Sequence, residues 1–297
     1  MALKTLRTAV LDIAYEETGP SDGTAVLLMH GFPYAPQAFA EVAPELAVSG
    51  CRVIVPYLRG YGPTRFLSAA TMRSGQQAAL AQDALDLLDG LGIDRALVSG
   101  YDWGGRSATI LAALHPERVI GLVNACGYAI QNIAKALEPE DPLQERRLWY
   151  QYYFQSERAR VGLARNREAL AKLLWRLWSP SWEFDDATFD LSAAAFENPD
   201  FVDVVIHSYR HRFGAVAGDP AYQAMEDRLA ALPKIGVPTI TFHGADDDVA
   251  PPSSSEGHER HFTSRYDRRV VSGVGHNIPQ EAPRICAAAI LEMLAAG

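Results

Sequence analysis

Six short apolar runs, each closed by a glycine, a proline or a polar turn, constrain this chain more than any other feature. They are AVLLM (25–29), CRVIVP (51–56), RALVSG (95–100), RVIGLVNAC (118–126), VPTITFHG (237–244) and DRRVVSG (267–273). Between the second and third lies an amphipathic stretch, 76–91, with Ala79, Leu80, Ala84, Leu87, Leu88 and Leu91 on one helical face. After the third comes a glycine-punctuated turn and an alanine-rich helix reaching His115. Apolar runs that are continuous rather than alternating belong to strands buried on both faces. Separated by helices, they predict an α/β fold with a mostly parallel sheet flanked by helices.

Residues 143–231 break this pattern. Strand signals fade, aromatic and arginine residues recur at helical spacing, and Pro180, Pro199 and Pro220 divide the region into about five helices. The strand pattern then resumes, and a last helix runs from Pro279 to Leu294. The reading is a core of residues 1–128 and 233–297 with a helical cap, 129–232, inserted into it.

The chain has 297 residues, 48% of them hydrophobic and 21% charged, an ordinary globular composition that excludes disorder and collagen. A net charge of −9 disfavours contact with phosphate backbones, so no nucleic-acid partner is expected. Cys51, Cys126 and Cys286 are odd in number and far apart, which fits a reducing compartment better than a bridged secreted protein. The N-terminus carries no apolar stretch of the roughly 7–15 residues a signal peptide needs, and no run approaches the ~20 residues of a membrane span. A cytoplasmic protein with no membrane association is expected, acting on a small molecule as a monomer or homodimer.

The turn after the third run reads Gly100-Tyr101-Asp102-Trp103-Gly104-Gly105-Arg106. Small residues two before, two after and three after Asp102 give the spacing of a strand-to-helix turn that lifts a nucleophile above a sheet, with aspartate at the reactive position. At a helix N-terminus, backbone N–H groups stabilise an anion. A plain glycine-rich turn with a capping aspartate is the alternative. Against it stand His30-Gly31-Phe32-Pro33 after the first run, where a second oxyanion-binding N–H arises, and two further groups in chain order. Asp247 follows the fifth run and His276 the sixth, so nucleophile, acid and histidine appear in sequence at successive strand ends. Backbone N–H groups of Phe32 and Trp103 are the candidate oxyanion donors. His30 is read as a structural residue holding its loop.

With these motifs in place, the chain resembles the α/β-hydrolases with an aspartate nucleophile and a helical cap. Asp102 followed by Trp-Gly-Gly resembles the epoxide hydrolases and haloalkane dehalogenases, and the HGFP loop resembles epoxide hydrolases and fluoroacetate dehalogenases. No G-x-S-x-G occurs, so a serine esterase is a poor match. The resemblance implies an alkyl ester on Asp102, hydrolysed by water that His276 activates with Asp247 behind it. Asp247 is preferred to Asp246 and Asp248 because it stands three after Gly244, matching the family's G-x-x-D turn. The position after the preceding core strand, which carries the acid in some haloalkane dehalogenases, is here Asn124.

Epoxide opening requires an acid for the departing oxygen, and the family resembled uses two cap tyrosines. Trp149-Tyr150-Gln151-Tyr152-Tyr153-Phe154-Gln155 is similar to the cap segment that holds the first, which implies Tyr150; the second is matched to Tyr222 in Pro220-Ala221-Tyr222-Gln223. The pocket is expected to be lined by Phe32, Trp103, Arg106, Tyr150, Gln151, Tyr152 and Tyr222. Trp175, Trp178 and Trp182 are read as cap packing. A dehalogenase working through the same Asp102 ester is the alternative. Arg106 keeps one of two arginines with which fluoroacetate dehalogenases clamp a carboxylate, but Trp103 replaces the other. Departures from epoxide hydrolases are Tyr101 where a histidine is usual and Tyr57 where an aspartate is usual. A non-catalytic ligand binder on this fold is disfavoured, because all three triad positions hold usable groups. No cofactor or metal is expected: there is no dinucleotide fingerprint, and His207 and His211, four apart on a helix, lack a third ligand.

Overall fold

The computed structural model describes residues 1–125 and 127–296. Cys126, which closes the fourth apolar run, lies outside the described residues, while Cys51 and Cys286 are buried free thiols. The first strands are β1 (Ala2–Arg7), β2 (Leu11–Thr18), β3 (Thr24–Met29), β4 (Cys51–Pro56) and the two-residue β5 (Arg65–Phe66). The sheet continues with β6 (Ala96–Gly100), β7 (Val119–Ala125), β8 (Thr239–Gly244) and β9 (Tyr266–Val271). Their order across the sheet is β1-β2-β4-β3-β6-β7-β8-β9, with β5 paired to β2. From β4 to β9 every pairing is parallel.

The two N-terminal strands run antiparallel to their neighbours and were not legible as apolar runs. The reason is physical. β1 is an edge strand exposed along nearly its whole length, so its sequence need not be apolar. The central strands behave as continuous runs should. Along β3, Val26 and Leu28 enter one hydrophobic cluster while Ala25, Leu27 and Met29 enter another on the opposite face. Helices α1 (Val42–Val48), α2 (Gln77–Gly90) and α3 (Asp102–Leu114) lie on these faces, α2 and α3 covering the second cluster.

Between β7 and β8 the chain is helical: α4 (Pro142–Arg147), α5 (Trp149–Tyr153), α6 (Glu157–Trp178), α7 (Asp186–Ala193), α8 (Phe201–Arg212) and α9 (Gln223–Ala230). These are six α-helices where the prolines suggested about five; Ser156, which caps α6, separates it from the short α5. The chain ends in α10 (Ile278–Glu281) and α11 (Pro283–Ala295). Trp175, Trp178, Phe154, Phe196 and Phe201 of the inserted helices belong to the same apolar cluster as Leu28, Phe32 and Phe39 of the core, so the insert is packed onto the strand ends. Among the described residues, no helix is long and apolar enough to cross a membrane.

One of the tight backbone approaches in the core is at Gly104. A Cβ there would stand 2.1 Å from the Met29 carbonyl oxygen, which is backbone and cannot swing aside. Gly104→Ala should therefore cost at least about 2 kcal/mol. Gly236→Ala, whose methyl would meet only Thr263 Oγ1 at 3.7 Å, should stay within about 0.5 kcal/mol. Urea midpoints of the two variants measure the difference; equal midpoints would contradict it.

Candidate active site

Strand register brings the candidate residues together. β3 and β6 are hydrogen-bonded neighbours with Met29 opposite Gly100, so the loops that follow them must touch. Gly31 faces the Asp102 side chain so closely that a Cβ would lie 2.5 Å from its Cβ, and a Cβ on Gly100 would lie 2.5 Å from the Gly104 carbonyl carbon. Within this turn Asp102 adopts φ +50°, a left-handed conformation that costs a non-glycine residue about 1–3 kcal/mol. Two hydrogen bonds hold it there. Asp102 Oδ1 accepts the Phe32 N–H at 2.8 Å and the Trp103 N–H at 2.7 Å.

The other carboxylate oxygen, Oδ2, lies 3.7 Å from His276 Nε2. The opposite ring nitrogen, Nδ1, is 2.7 Å from Asp247 Oδ2, and Asp247 Oδ1 accepts the N–H groups of Val249 and Ala250 at 2.9 and 2.8 Å. Asp247 is thus fixed by the turn after β8, and His276 comes from the loop after β9. Asp246 is exposed and Asp248 pairs with Arg147 at 2.9 Å, so neither competes for His276. Asn124 donates to Thr109 Oγ1 and the Gly127 carbonyl.

The loop that carries His276 is held from both sides. Ser179, just past α6, accepts the His276 N–H at 2.9 Å and donates to Glu281 Oε1 at 2.6 Å. Glu281 also accepts the N–H groups of Gly275 and Asn277 at 2.6 and 2.9 Å. A Cβ on Gly275 would lie 2.4 Å from Ser179 Cα, so the inserted helices and the histidine loop meet in backbone contact.

Burial alone would raise the Asp102 carboxyl. The hydrogen bond and charge of His276, the charge of Arg106 and the Phe32 N–H outweigh it and hold the group below the ordinary aspartate value. Burial raises the Tyr150 and Tyr209 phenols, which keeps both protonated at neutral pH. His30 is buried, accepts the Leu58 N–H through Nε2 at 3.2 Å and reaches the Gly31 carbonyl through Nδ1 at 2.9 Å. It braces the loop that presents Phe32.

A cavity of about 320 Å³ opens above Asp102 and is lined by Arg106, Tyr150, Gln151, Arg212, Ser254 and His258, among others. It joins Tyr150, Gln151 and Arg106 to the triad residues. It does not contain Tyr152 or Tyr222. Tyr152 is 41% exposed, its hydroxyl turned to Glu145 and its ring to Phe213, because it sits on the outer side of α5. Tyr222 packs over Arg59 and accepts a hydrogen bond from it at 3.0 Å, in a buried cluster with Asp83. Phe32 and Trp103 are fully enclosed side chains stacked on each other, with ring centroids 5.6 Å apart; they contribute backbone N–H groups rather than cavity wall.

The tyrosine that stands beside Tyr150 is Tyr209, on α8. Its ring centroid is 5.5 Å from that of Tyr150 and 5.9 Å from that of Trp103, and its buried hydroxyl has no partner among the described residues. A signal for it was present: Val205, Tyr209 and Arg212 share one face of a helical stretch at i, i+4, i+7. His207 accepts the Gly75 N–H and contacts the Ala217 carbonyl, so its ring nitrogens serve the backbone. Among the described residues, no group of three or more His, Cys, Asp or Glu side chains could hold a metal.

Comparison with known proteins bears on the family and the fold. The chain belongs to the alpha/beta hydrolase fold family, whose model matches residues 24–283. A crystal structure of a candidate epoxide hydrolase from Klebsiella pneumoniae subsp. pneumoniae superposes with a TM-score of 0.96 at 46% identity, covering 98% of this chain and 96% of that one. Epoxide hydrolase B of Mycobacterium tuberculosis is 32% identical over 49% of this chain and 43% of its own. Fluoroacetate dehalogenase of a Burkholderia species is 34% identical over 45% and 43%. The chain thus spans less than half the length of these two curated relatives. It is an epoxide-hydrolase-like α/β-hydrolase.

Two buried histidines, His30 and His243, and the half-buried His258 give this structure a pH signature. Burial first, then neighbouring cations for His243 and His258, holds His30, His243 and His258 down at about 4 against an ordinary 6.5. Unfolded chains take up these protons first. The stabilisation is complete above pH 6.5 and is lost as the pH falls from there towards 4. Urea midpoints should fall from pH 7 to pH 5, with a shallower slope in His258→Gln; a flat wild-type profile would contradict the assignment.

Proposed function

We propose that the protein hydrolyses epoxides to vicinal diols through a covalent ester on Asp102. The observation that carries this reading is the posture of the Asp102 carboxylate, with Oδ1 bound by two backbone N–H groups and Oδ2 turned towards His276. A carboxylate held this way attacks an sp³ carbon through Oδ2. The epoxide C–O bond breaks as the Asp102 ester forms, and the departing oxygen takes a proton from Tyr150, with Tyr209 beside it. His276 Nε2 then removes a proton from water, whose oxygen attacks the ester carbonyl carbon. Negative charge develops on Oδ1, between the Phe32 and Trp103 N–H groups that already surround it. Asp247 stabilises the imidazolium. Collapse breaks the bond between Cγ and Oδ2 as the imidazolium gives its proton to Oδ2, which leaves in the diol; the water oxygen stays on Asp102, and its remaining proton restores the Tyr150 phenol.

A second reading keeps the ester and changes the leaving group to halide. It is favoured by the indole N–H groups of Trp103 and Trp178, both buried with no acceptor among the described residues, and by the resemblance to a fluoroacetate dehalogenase. Product analysis with styrene oxide, a haloalkane and fluoroacetate separates the two; halide release with every epoxide intact selects the second.

With enzyme in excess in ¹⁸O-labelled water, the first diol formed should be almost unlabelled, and label should appear only over successive turnovers. Label at full content in a single turnover would mean that water attacks the substrate directly. His276→Gln should trap a mass adduct on the peptide that holds Asp102.

Tyr150→Phe and Tyr209→Phe should each slow epoxide opening by about 10²-fold or more, the scale of a general acid. Tyr222→Phe should change it less than about threefold, since its hydroxyl is engaged by Arg59. Steady-state rates of the three variants test this, and an equal loss at Tyr222 would return the proton donor to the pairing suggested by sequence.

A further inference from the structure

Two half-buried guanidinium groups in the cavity wall above Asp102 are handled unlike Arg59, the buried arginine of this fold. Arg59 is fully buried and fully occupied: it makes a two-pronged contact with Asp83 at 2.6 and 2.7 Å, and donates to the Ser74 carbonyl and the Tyr222 hydroxyl. Arg73, Arg147, Arg210 and Arg269 each lie against a carboxylate. Arg106 and Arg212 do not. Arg106, one turn into α3, donates only Nε, to the Ala129 carbonyl at 3.1 Å. Arg212, the last residue of α8, reaches Gln151 Oε1 through Nη1 at 3.4 Å, and its Nε and Nη2 are shielded from solvent with no partner among the described residues. Its guanidinium carbon lies 4.3 Å from the centre of the Tyr209 ring.

Both arginines line the same cavity as Asp102, Tyr150 and His276. Asp102 is the only carboxylate among those lining residues, and burial keeps the lining His258 neutral at ordinary pH. The wall thus carries two cations against one anion. Arg106 feels the imbalance: burial, then the charge of Arg212, lowers its guanidinium to about 10. Guanidinium nitrogens shielded from solvent without an acceptor, as Nε and Nη2 of Arg212 are, are costly, and a planar guanidinium matches a carboxylate two-pronged.

We propose that the natural substrate carries a carboxylate, held by Arg106 from the core and Arg212 from the inserted helices while Asp102 attacks the neighbouring carbon. One negative charge restores neutrality to the wall, which favours a monoanion over a dianionic phosphate. The cavity, about 320 Å³, is near the lower end of the usual range for small-molecule sites. The inference deepens the ester-forming reading above and rests on it for the reaction, but the anion site stands on the arginines alone.

The test compares trans-3-phenylglycidate with trans-3-phenylglycidamide, which share a skeleton and differ in charge. Wild-type kcat/KM should favour the carboxylate by about 30-fold, the scale of charge-assisted hydrogen bonds. That ratio should fall to near one in Arg212→Gln and recover in part in Arg212→Lys. An amide turned over as well as the acid by the wild type, or a ratio unchanged in Arg212→Gln, would overturn the proposal. Calorimetry on Asp102→Asn with 3-phenylpropanoate and 3-phenylpropanamide reads the anion site without turnover. Tighter binding of the carboxylate, lost on adding Arg212→Gln, supports the site even if neither epoxide is opened, in which case the epoxide reading fails and the carboxylate inference survives. Equal binding of the two probes would overturn it.

Discussion

Much of the arrangement depends on one contact, the packing of the loop after β3 against the turn after β6. Those strands are neighbours, and their following backbones approach so closely that glycine is required at residues 31, 100 and 104. The closeness drives Asp102 into its left-handed conformation and aims one carboxylate oxygen at two N–H groups. Strain in the turn and hydrogen bonding to the carboxylate are therefore coupled: the geometry that costs energy at the backbone is the one that orients the reactive group. The histidine and its acid then need only the next strand ends in the parallel sheet, because β7, β8 and β9 follow in spatial order.

How much of this could be read from sequence depended on whether a residue's role was fixed locally. The central strands were legible because burial on both faces makes them apolar throughout, and the Asp102 turn because its close approaches demand glycine at fixed offsets. β1 was missed because an edge strand exposed to water carries no such pattern, and β2, although mostly buried between β1 and β4, interleaves Asp12, Glu16 and Glu17 with its apolar residues and so shows no continuous run. Tyr150 and Gln151 reach the cavity as expected, while Tyr152 does not: neighbouring residues on a short helix point in different directions. The position of Tyr222, away from the cavity, was not legible for a different reason. Tyr209 and Tyr222 both precede the return to the core, and the shared face of Val205, Tyr209 and Arg212 marks a helix side without saying what that side packs against. Tyr222 is taken up by Arg59 and Asp83, a buried pair 24 residues apart that no local pattern reveals.

The aromatic packing explains how an inserted helical block can contribute to a site whose main groups lie in the sheet. Trp175 donates its indole N–H to the Pro33 carbonyl at 2.8 Å and stacks on Tyr34, anchoring α6 to the loop that presents Phe32. Trp178, three residues on, lies 5.3 Å from the His276 ring and 5.0 Å from that of Tyr150. One helix face thus touches the oxyanion loop, the histidine and the phenol. Contacts of this density suit a fixed wall better than a freely hinged lid.

The hydrogen bonds from Ser179 and Glu281 to the histidine loop carry a consequence for inheritance. The inserted helices are not a module that can be exchanged at its two chain junctions, because the residue just beyond α6 supplies an acceptor to the backbone of His276 and fits against a glycine that has no room for a side chain. A foreign insert would have to reproduce that serine, its carboxylate partner and the close approach at Gly275. Divergence in substrate preference is thereby channelled into residues such as Gln151 and Arg212, which face the cavity, while the α6 terminus and the loop after β9 must change together or not at all.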